Sequence, residues 1–275
     1  MLNFSIFFAV LMYAAVGSAS ASNGKEVSFC TDESLPKHAF ENRHAKTLFI
    51  YCPRLEDISL GRDSTHKLFS GQWFDKVSPA LDFYAQTIEG LNISLGGSVS
   101  TANMNSKKGL LPLLSGKRGF YIEFMARIDG GSMDHWPALW LNPIEHGARE
   151  EDRNFVPGKL YQHWMELDVD EGGFQDGMLG TVIEWYGNYP KYQKIQGRHP
   201  PAKKLDRTKF HVFSALYDPV TASIQWWIDG EFHNVLPAPK IASHYNYYVI
   251  MNSQSHGANE PFKLIVKRVR AFELY

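Results

Sequence analysis

A chain of 275 residues, 44% hydrophobic and 21% charged, is long enough for one large all-β domain with a buried core or for two smaller domains. Its formal net charge of -1 gives no electrostatic ground for binding nucleic acid or an anionic membrane. Aromatic residues make up 14%, including 7 Trp and 13 Tyr, which suits a β-sandwich core and equally a surface that stacks on sugars or bases.

Residues 4–16 form an apolar run too short to span a bilayer, and Gly17-Ser18-Ala19-Ser20-Ala21 follows with an Ala-x-Ala ending. No Lys or Arg precedes the run, but the layout is that of a signal peptide (residues 1–21) with cleavage expected after Ala21 and export of the rest. Residues 22–67 read as a polar N-terminal extension with one strand at 47–51. It carries both cysteines, Cys30 and Cys52, which are expected to pair in an oxidising compartment and tether the segment. Two cysteines without clustered His make a poor ligand set, and none of the 11 His has a spacing such as His-Glu-x-x-His. Neither a metal nor a cofactor is expected.

From about residue 68 to 275 short alternating segments recur, separated by Gly, Pro, Asn and Asp. Strands are expected at 91–95, 120–128, 138–141, 165–169, 181–186, 210–217, 223–228, 247–252 and 264–274. No stretch keeps a helical period, so the fold class is all-β, an antiparallel β-sandwich or barrel. Asp229-Gly230 after Trp226-Trp227-Ile228 signals a hairpin. Residues 142–162 and 189–209 read as polar connections. The second holds Lys191, Lys194, Arg198, Lys203, Lys204, Arg207 and Lys209 against Asp206 alone, either a rim for an anionic polysaccharide or, the favoured reading, a solvated loop.

One stretch stands apart: Trp164-Met165-Glu166-Leu167-Asp168-Val169-Asp170-Glu171-Gly172-Gly173. Its alternation is that of a half-buried strand with Glu166 and Asp168 on one face. In a regular strand Asp170 joins them; a one-residue bulge at Val169–Asp170 brings Glu171 round instead. Like charges so close are a poor way to stabilise a sheet. They suit a carboxylate pair for glycoside hydrolysis, although a solvated acidic face or a cation site matches the same residues.

Several further segments agree in order and spacing. Gly119-Phe120-Tyr121-Ile122-Glu123-Phe124-Met125-Ala126-Arg127, then His135-Trp136-Pro137-Ala138-Leu139-Trp140-Leu141, precede the acidic strand. Ile224-Gln225-Trp226-Trp227-Ile228-Asp229-Gly230 and Val266-Lys267-Arg268-Val269-Arg270-Ala271-Phe272 follow it. From about residue 69 onward the chain resembles glycoside hydrolase family 16, the laminarinase, lichenase, agarase and carrageenase group, and Glu166 to Glu171 fits the bulged form Glu-x-Asp-x-x-Glu of its catalytic motif.

The resemblance implies a concanavalin-like jelly roll over residues 68–275. It assigns Glu166 as nucleophile, Glu171 as general acid/base and Asp168 as the acid that holds the nucleophile's orientation and charge. Retaining chemistry of this kind sets the two working carboxyls about 5–5.5 Å apart. Trp136 matches a cleft tryptophan, Trp185 is a second candidate for the cleft wall, and Asn252 falls near a late cleft-lining strand. The chain departs from the pattern at Met165, where Gly is common before the first Glu, and by offering Ile183 or Glu184 where a His is usual. The expected protein is a secreted or periplasmic, monomeric, retaining endo-glycoside hydrolase acting on a β-glucan or galactan. A carbohydrate-binding protein without catalysis on the same fold is the alternative.

Overall fold

The alternating segments assemble into two sheets in the computed structural model, which describes residues 30–41, 43–60, 65–72, 80–103, 109–132, 134–146, 161–172, 180–188, 191–198, 205–257 and 259–275. The expected signal peptide lies outside the described residues. In chain order the first strands are β1 (Ala45–Tyr51), β2 (Ile58–Ser59), β3 (Leu68–Ser70), β4 (Tyr84–Thr87), β5 (Gly90–Ser94) and β6 (Ser98–Ser100). They are followed by β7 (Leu114–Ser115), β8 (Phe120–Asp129), β9 (His135–Pro143), β10 (Tyr161–Glu171), β11 (Thr181–Asn188) and β12 (Lys191–Arg198). The last are β13 (His211–Asp218), β14 (Ser223–Ile228), β15 (Glu231–Pro237), β16 (Asn246–Ser255) and β17 (Lys263–Leu274). One short α-helix, α1 (Lys37–Phe40), precedes them.

The first sheet runs β15-β14-β13-β8-β17-β5-β4, with β1 beside β17; the second runs β12-β11-β10-β9-β16-β6-β3-β2, with β7 beside β16. Neighbours are antiparallel except β2 and β3. This is the all-β sandwich expected from the sequence. Every strand read from the sequence is present, and the Asp229-Gly230 hairpin joins β14 to β15 with positive φ at both residues (52° and 80°), the requirement of a type I′ turn.

Two findings differ from the sequence reading. Residues 191–198, expected inside a polar connection, form the edge strand β12. An edge strand pairs on one side only, and its lysines guard the free edge, so it shows no apolar alternation to read. Residues 45–51, expected in an extension before the sandwich, are paired along the C-terminal half of β17.

Leu139, Leu141, Met165, Leu167, Val169, Val249 and Met251 of the second sheet meet Ile122, Phe124, Phe213, Ala215, Trp226 and Val266 of the first. Each such side chain contributes about 1.5–3 kcal/mol by leaving water. The outer face of the first sheet is covered by the N-terminal segment, where Ala39 and Phe40 pack on Tyr121, Trp227 and Phe272. Beneath that segment Glu123 is buried between Arg268 (3.1 Å) and Arg270 (2.6 Å), and Arg270 reaches on to Asp32 at 3.1 Å. A Cys30–Cys52 disulfide ties the segment to the end of β1, as the sequence suggested.

The bridge closes a loop with a sequence separation of 22, which on loop entropy alone stabilises the fold by about 3 kcal/mol. Reduction, or Cys52→Ser, is therefore expected to lower the unfolding free energy by about that amount. Guanidinium unfolding with and without reductant measures it, and coincident curves would contradict the tether.

Candidate active site

The acidic strand β10 lies between β9 and β11, and its register against β9 slips once. Leu167 faces Leu141 and Asp168 faces Trp140, but Asp170 faces Leu139 and Glu171 faces Ala138. One extra residue at Val169 therefore turns Glu171 onto the same face as Asp168 and Glu166, and turns Asp170 inward. Of the arrangements open in the sequence, the chain adopts the bulged one. Two core groups grip the bulge. The Trp226 indole donates to the Asp168 carbonyl at 3.1 Å, and the buried Arg207 guanidinium bonds to the buried Asp170 carboxylate. Gly172, at φ 91°, ends the strand and donates its N–H to the Pro137 carbonyl at 3.0 Å.

The face that carries the acids is the outer face of the second sheet. Glu171 Oε1 accepts from the Thr181 hydroxyl at 2.6 Å and lies 3.6 Å from Arg198 Nη2, while Oε2 accepts from the Trp136 indole at 3.1 Å. Glu166 Oε2 accepts from the Trp185 indole at 3.0 Å. Asp168 is buried, and its Oδ2 has no hydrogen-bond partner among the described residues. Asn252 stands opposite Ala138, in line with Glu171, and its Oδ1 accepts from the buried Trp140 indole at 2.6 Å.

All six residues singled out from the sequence thus share one face: Glu166, Asp168, Glu171, Trp136, Trp185 and Asn252. Trp136 and Trp185 are half-buried. Trp136 stacks on His256 at 4.3 Å, and Trp185 lies parallel to Trp164 at 5.9 Å with Lys194 Nζ 5.3 Å from its ring centre. The sequence reading missed Thr181, Arg198, Lys194 and His256 as members of the site. A strand period begun at Lys191 places Lys194, Gln196 and Arg198 on one face, which was the available signal for two of them.

The departures from the family pattern also find places. Met165 faces the core, and Trp164 is buried between Trp185 and His146, whose ring stacks on it at 3.5 Å. Ile183 stands opposite Glu166, while Glu184 turns to the other face and pairs with His163 at 2.6 Å. The site gains an apolar neighbour there, not another carboxylate.

Burial pushes Glu166 up from its ordinary 4.5 to about 7; the Trp185 N–H and Lys194 oppose the rise, and the charge of Glu171 adds to it. Asp168 is pushed well above its ordinary 3.8, first by burial, then by Glu171 and Glu166. Burial and mutual repulsion thus favour the neutral forms of Glu166 and Asp168 over their charged ones.

No protein-family model matches this sequence, and no curated protein matches it. Solved structures do. One comes from work on endo-acting O-glycanases that human gut microbiota express to initiate mucin breakdown: TM-score 0.53, 16% identity, covering 82% of this chain and 98% of that chain. A second is a Bacteroides ovatus GH16 protein of the mixed linkage glucan PUL, with a bound product: TM-score 0.53, 13% identity, 82% and 99% covered. A third is a LamA variant from Z. galactanivorans with laminaritriose and laminaritetraose: TM-score 0.52, 13% identity, 82% and 98% covered.

The chain has the fold of glycoside hydrolase family 16. On that fold the acid trio occupies the outer face of the second sheet.

Both raised acids bind protons more tightly in the folded chain than in the unfolded one. The contribution of Glu166 to stability is complete below about pH 4 and is lost as pH rises through about 7, and that of Asp168 falls in the same direction. Glu166→Gln removes that loss, so the variant is expected to be more stable than the parent at about pH 7.5 by about 1–3 kcal/mol, with the gap closing near pH 4, and Asp168→Asn is expected to shift stability in the same direction. Urea unfolding at the two pH values checks it; parent and variants with the same pH dependence would contradict the raised acids.

Proposed function

We propose that the protein is an exported, endo-acting glycoside hydrolase that cleaves a β-linked polysaccharide of the β-glucan or galactan type with retention of configuration, working as a monomer without cofactor. The observation that carries this is the placement of Glu166, Asp168 and Glu171 together on the outer face of the second sheet of a family 16 fold, flanked by two half-buried tryptophans. Export rests on the apolar run, the Ala19-Ser20-Ala21 site and the disulfide.

In this reading the Glu166 carboxylate attacks the anomeric carbon while protonated Glu171 gives its proton to the departing glycosidic oxygen. Glu171, now ionised, takes a proton from water, whose oxygen displaces Glu166 from the sugar. The roles follow the motif. Burial favours the neutral form of Asp168, which adds no repulsion when Glu166 ionises. Neutral Glu171 likewise withdraws part of what raises Glu166, so a protonated donor and an ionised nucleophile are mutually consistent. Ring faces of Trp136 and Trp185 supply stacking area for sugars.

The rival, a carbohydrate-binding protein without catalysis, has one observation in its favour. Ile183 stands opposite Glu166 on the strand where the family pattern has a His near the acids.

Reducing-end release from a panel of β-glucans and galactans separates the two. The enzyme reading expects turnover by wild type and none by Glu166→Gln, with glycan binding retained. Glu171→Gln should lose about 10²–10⁴-fold on natural glycans and much less in the first step with an activated leaving group. Folded wild-type protein that binds one of these glycans and cleaves none supports the binder and ends the enzyme reading.

A further inference from the structure

Asp170 and Glu171 are adjacent in the chain, leave β10 on opposite faces, and each meets an arginine. On the outer face Arg198, the last residue of β12, lies 3.6 Å from Glu171. On the core face Arg207, just ahead of β13, bonds to Asp170, with side-chain exposures of 6% and 2%. Arg207 is itself anchored, because its carbonyl accepts the Ile128 N–H at 2.8 Å near the end of β8. Its guanidinium carbon sits 5.6 Å from the Phe213 ring centre, and its Nε and Nη1 have no hydrogen-bond partner among the described residues.

A buried guanidinium so sparsely bonded is a poor choice for filling a core, where an apolar pair of similar volume is often as stable or more so. What the ion pair does supply is a choice of register. Strand alternation alone sends Asp170 out to stand beside Asp168 and turns Glu171 in toward the core. A fixed cation on the core side reverses that preference, and the strand accommodates it with one extra residue. Selection of register is the best-attested use of a buried charged or polar group.

We propose that Arg207 is a positioning residue: by holding Asp170 against the core it selects the bulged register of β10 and so places Glu171 on the outer face with Glu166 and Asp168. The consequence for turnover rests on the glycosidase reading; the consequence for register does not.

The test uses Arg207→Met, Arg207→Lys and, should the first fail to fold, Asp170→Asn. It has two readouts: kcat and KM on the glycan that wild type cleaves, and the NMR resonances of the Trp136 and Trp185 indole N–H groups. Those two protons report Glu171 and Glu166 separately. Arg207→Met is expected to move the Trp136 signal while leaving that of Trp185, and to lower kcat about 100-fold with little change in KM. Arg207→Lys, which keeps the charge, is expected to restore the Trp136 signal and recover much of kcat. A folded Arg207→Met protein with the wild-type Trp136 signal and wild-type kcat, differing only in melting temperature, overturns the proposal. Should wild type cleave no glycan, the glycosidase reading fails, and the Trp136 signal alone then decides the register claim.

Discussion

The site depends on one irregularity, the extra residue at Val169. Without it β10 would present Glu166, Asp168 and Asp170, and Glu171 would point into the core among Leu139 and its neighbours. With it, three carboxyls gather near the middle of a sheet, an arrangement that electrostatics opposes. Opposition is met locally. Burial pushes Asp168 toward its neutral form, while N–H and O–H donors from Trp136, Thr181 and Trp185 surround the other two. The core holds the irregularity from behind through the Trp226 indole, so packing between the sheets and geometry on the outer face are fixed by the same residues.

The two outer faces of the sandwich are treated differently. On the first sheet the N-terminal segment lies over Tyr121, Trp227 and Phe272, and the buried Glu123 beneath it is held by two arginines. On the second sheet the acids are bonded mainly to indole and hydroxyl groups, and one buried oxygen of Asp168 has no partner among the described residues. A carboxylate met by opposite charge and covered by chain stays inert. Carboxyls gathered beside half-buried aromatic rings without a full set of partners retain chemistry to offer a ligand.

Much of this was legible in the sequence. Alternation marked the long strands, and the acid-rich stretch marked β10, because both signals are local. Alternation alone left the bulge open, since Asp170 and Glu171 are both acids and neither is the obvious residue to bury; the resemblance to the bulged motif favoured it. What decides is Arg207, 37 positions away and hidden in a cationic stretch that reads as a solvated loop. The strand β12 escaped for a related reason: an edge strand has no buried side chain to set a period. The pairing of β1 with β17 joins the two ends of the chain, beyond the reach of local pattern. By contrast, the question between Ile183 and Glu184 was open only for want of a register, and pairing Ile183 with Glu166 answers it.

In the proposed mechanism the two working acids are coupled through the same charge. Glu166 is raised to about 7, first by burial, and the charge of Glu171 adds to the rise. A proton placed on Glu171 removes that contribution, so a protonated donor and an ionised nucleophile assist each other. Arg198 lies 3.6 Å from Glu171, but its side chain is 46% exposed, and an ion pair of that kind contributes only about 0–1 kcal/mol. A glycan lying along β12 that drew Arg198 back into water would therefore forfeit little, and the coupling between the two acids outweighs that contact.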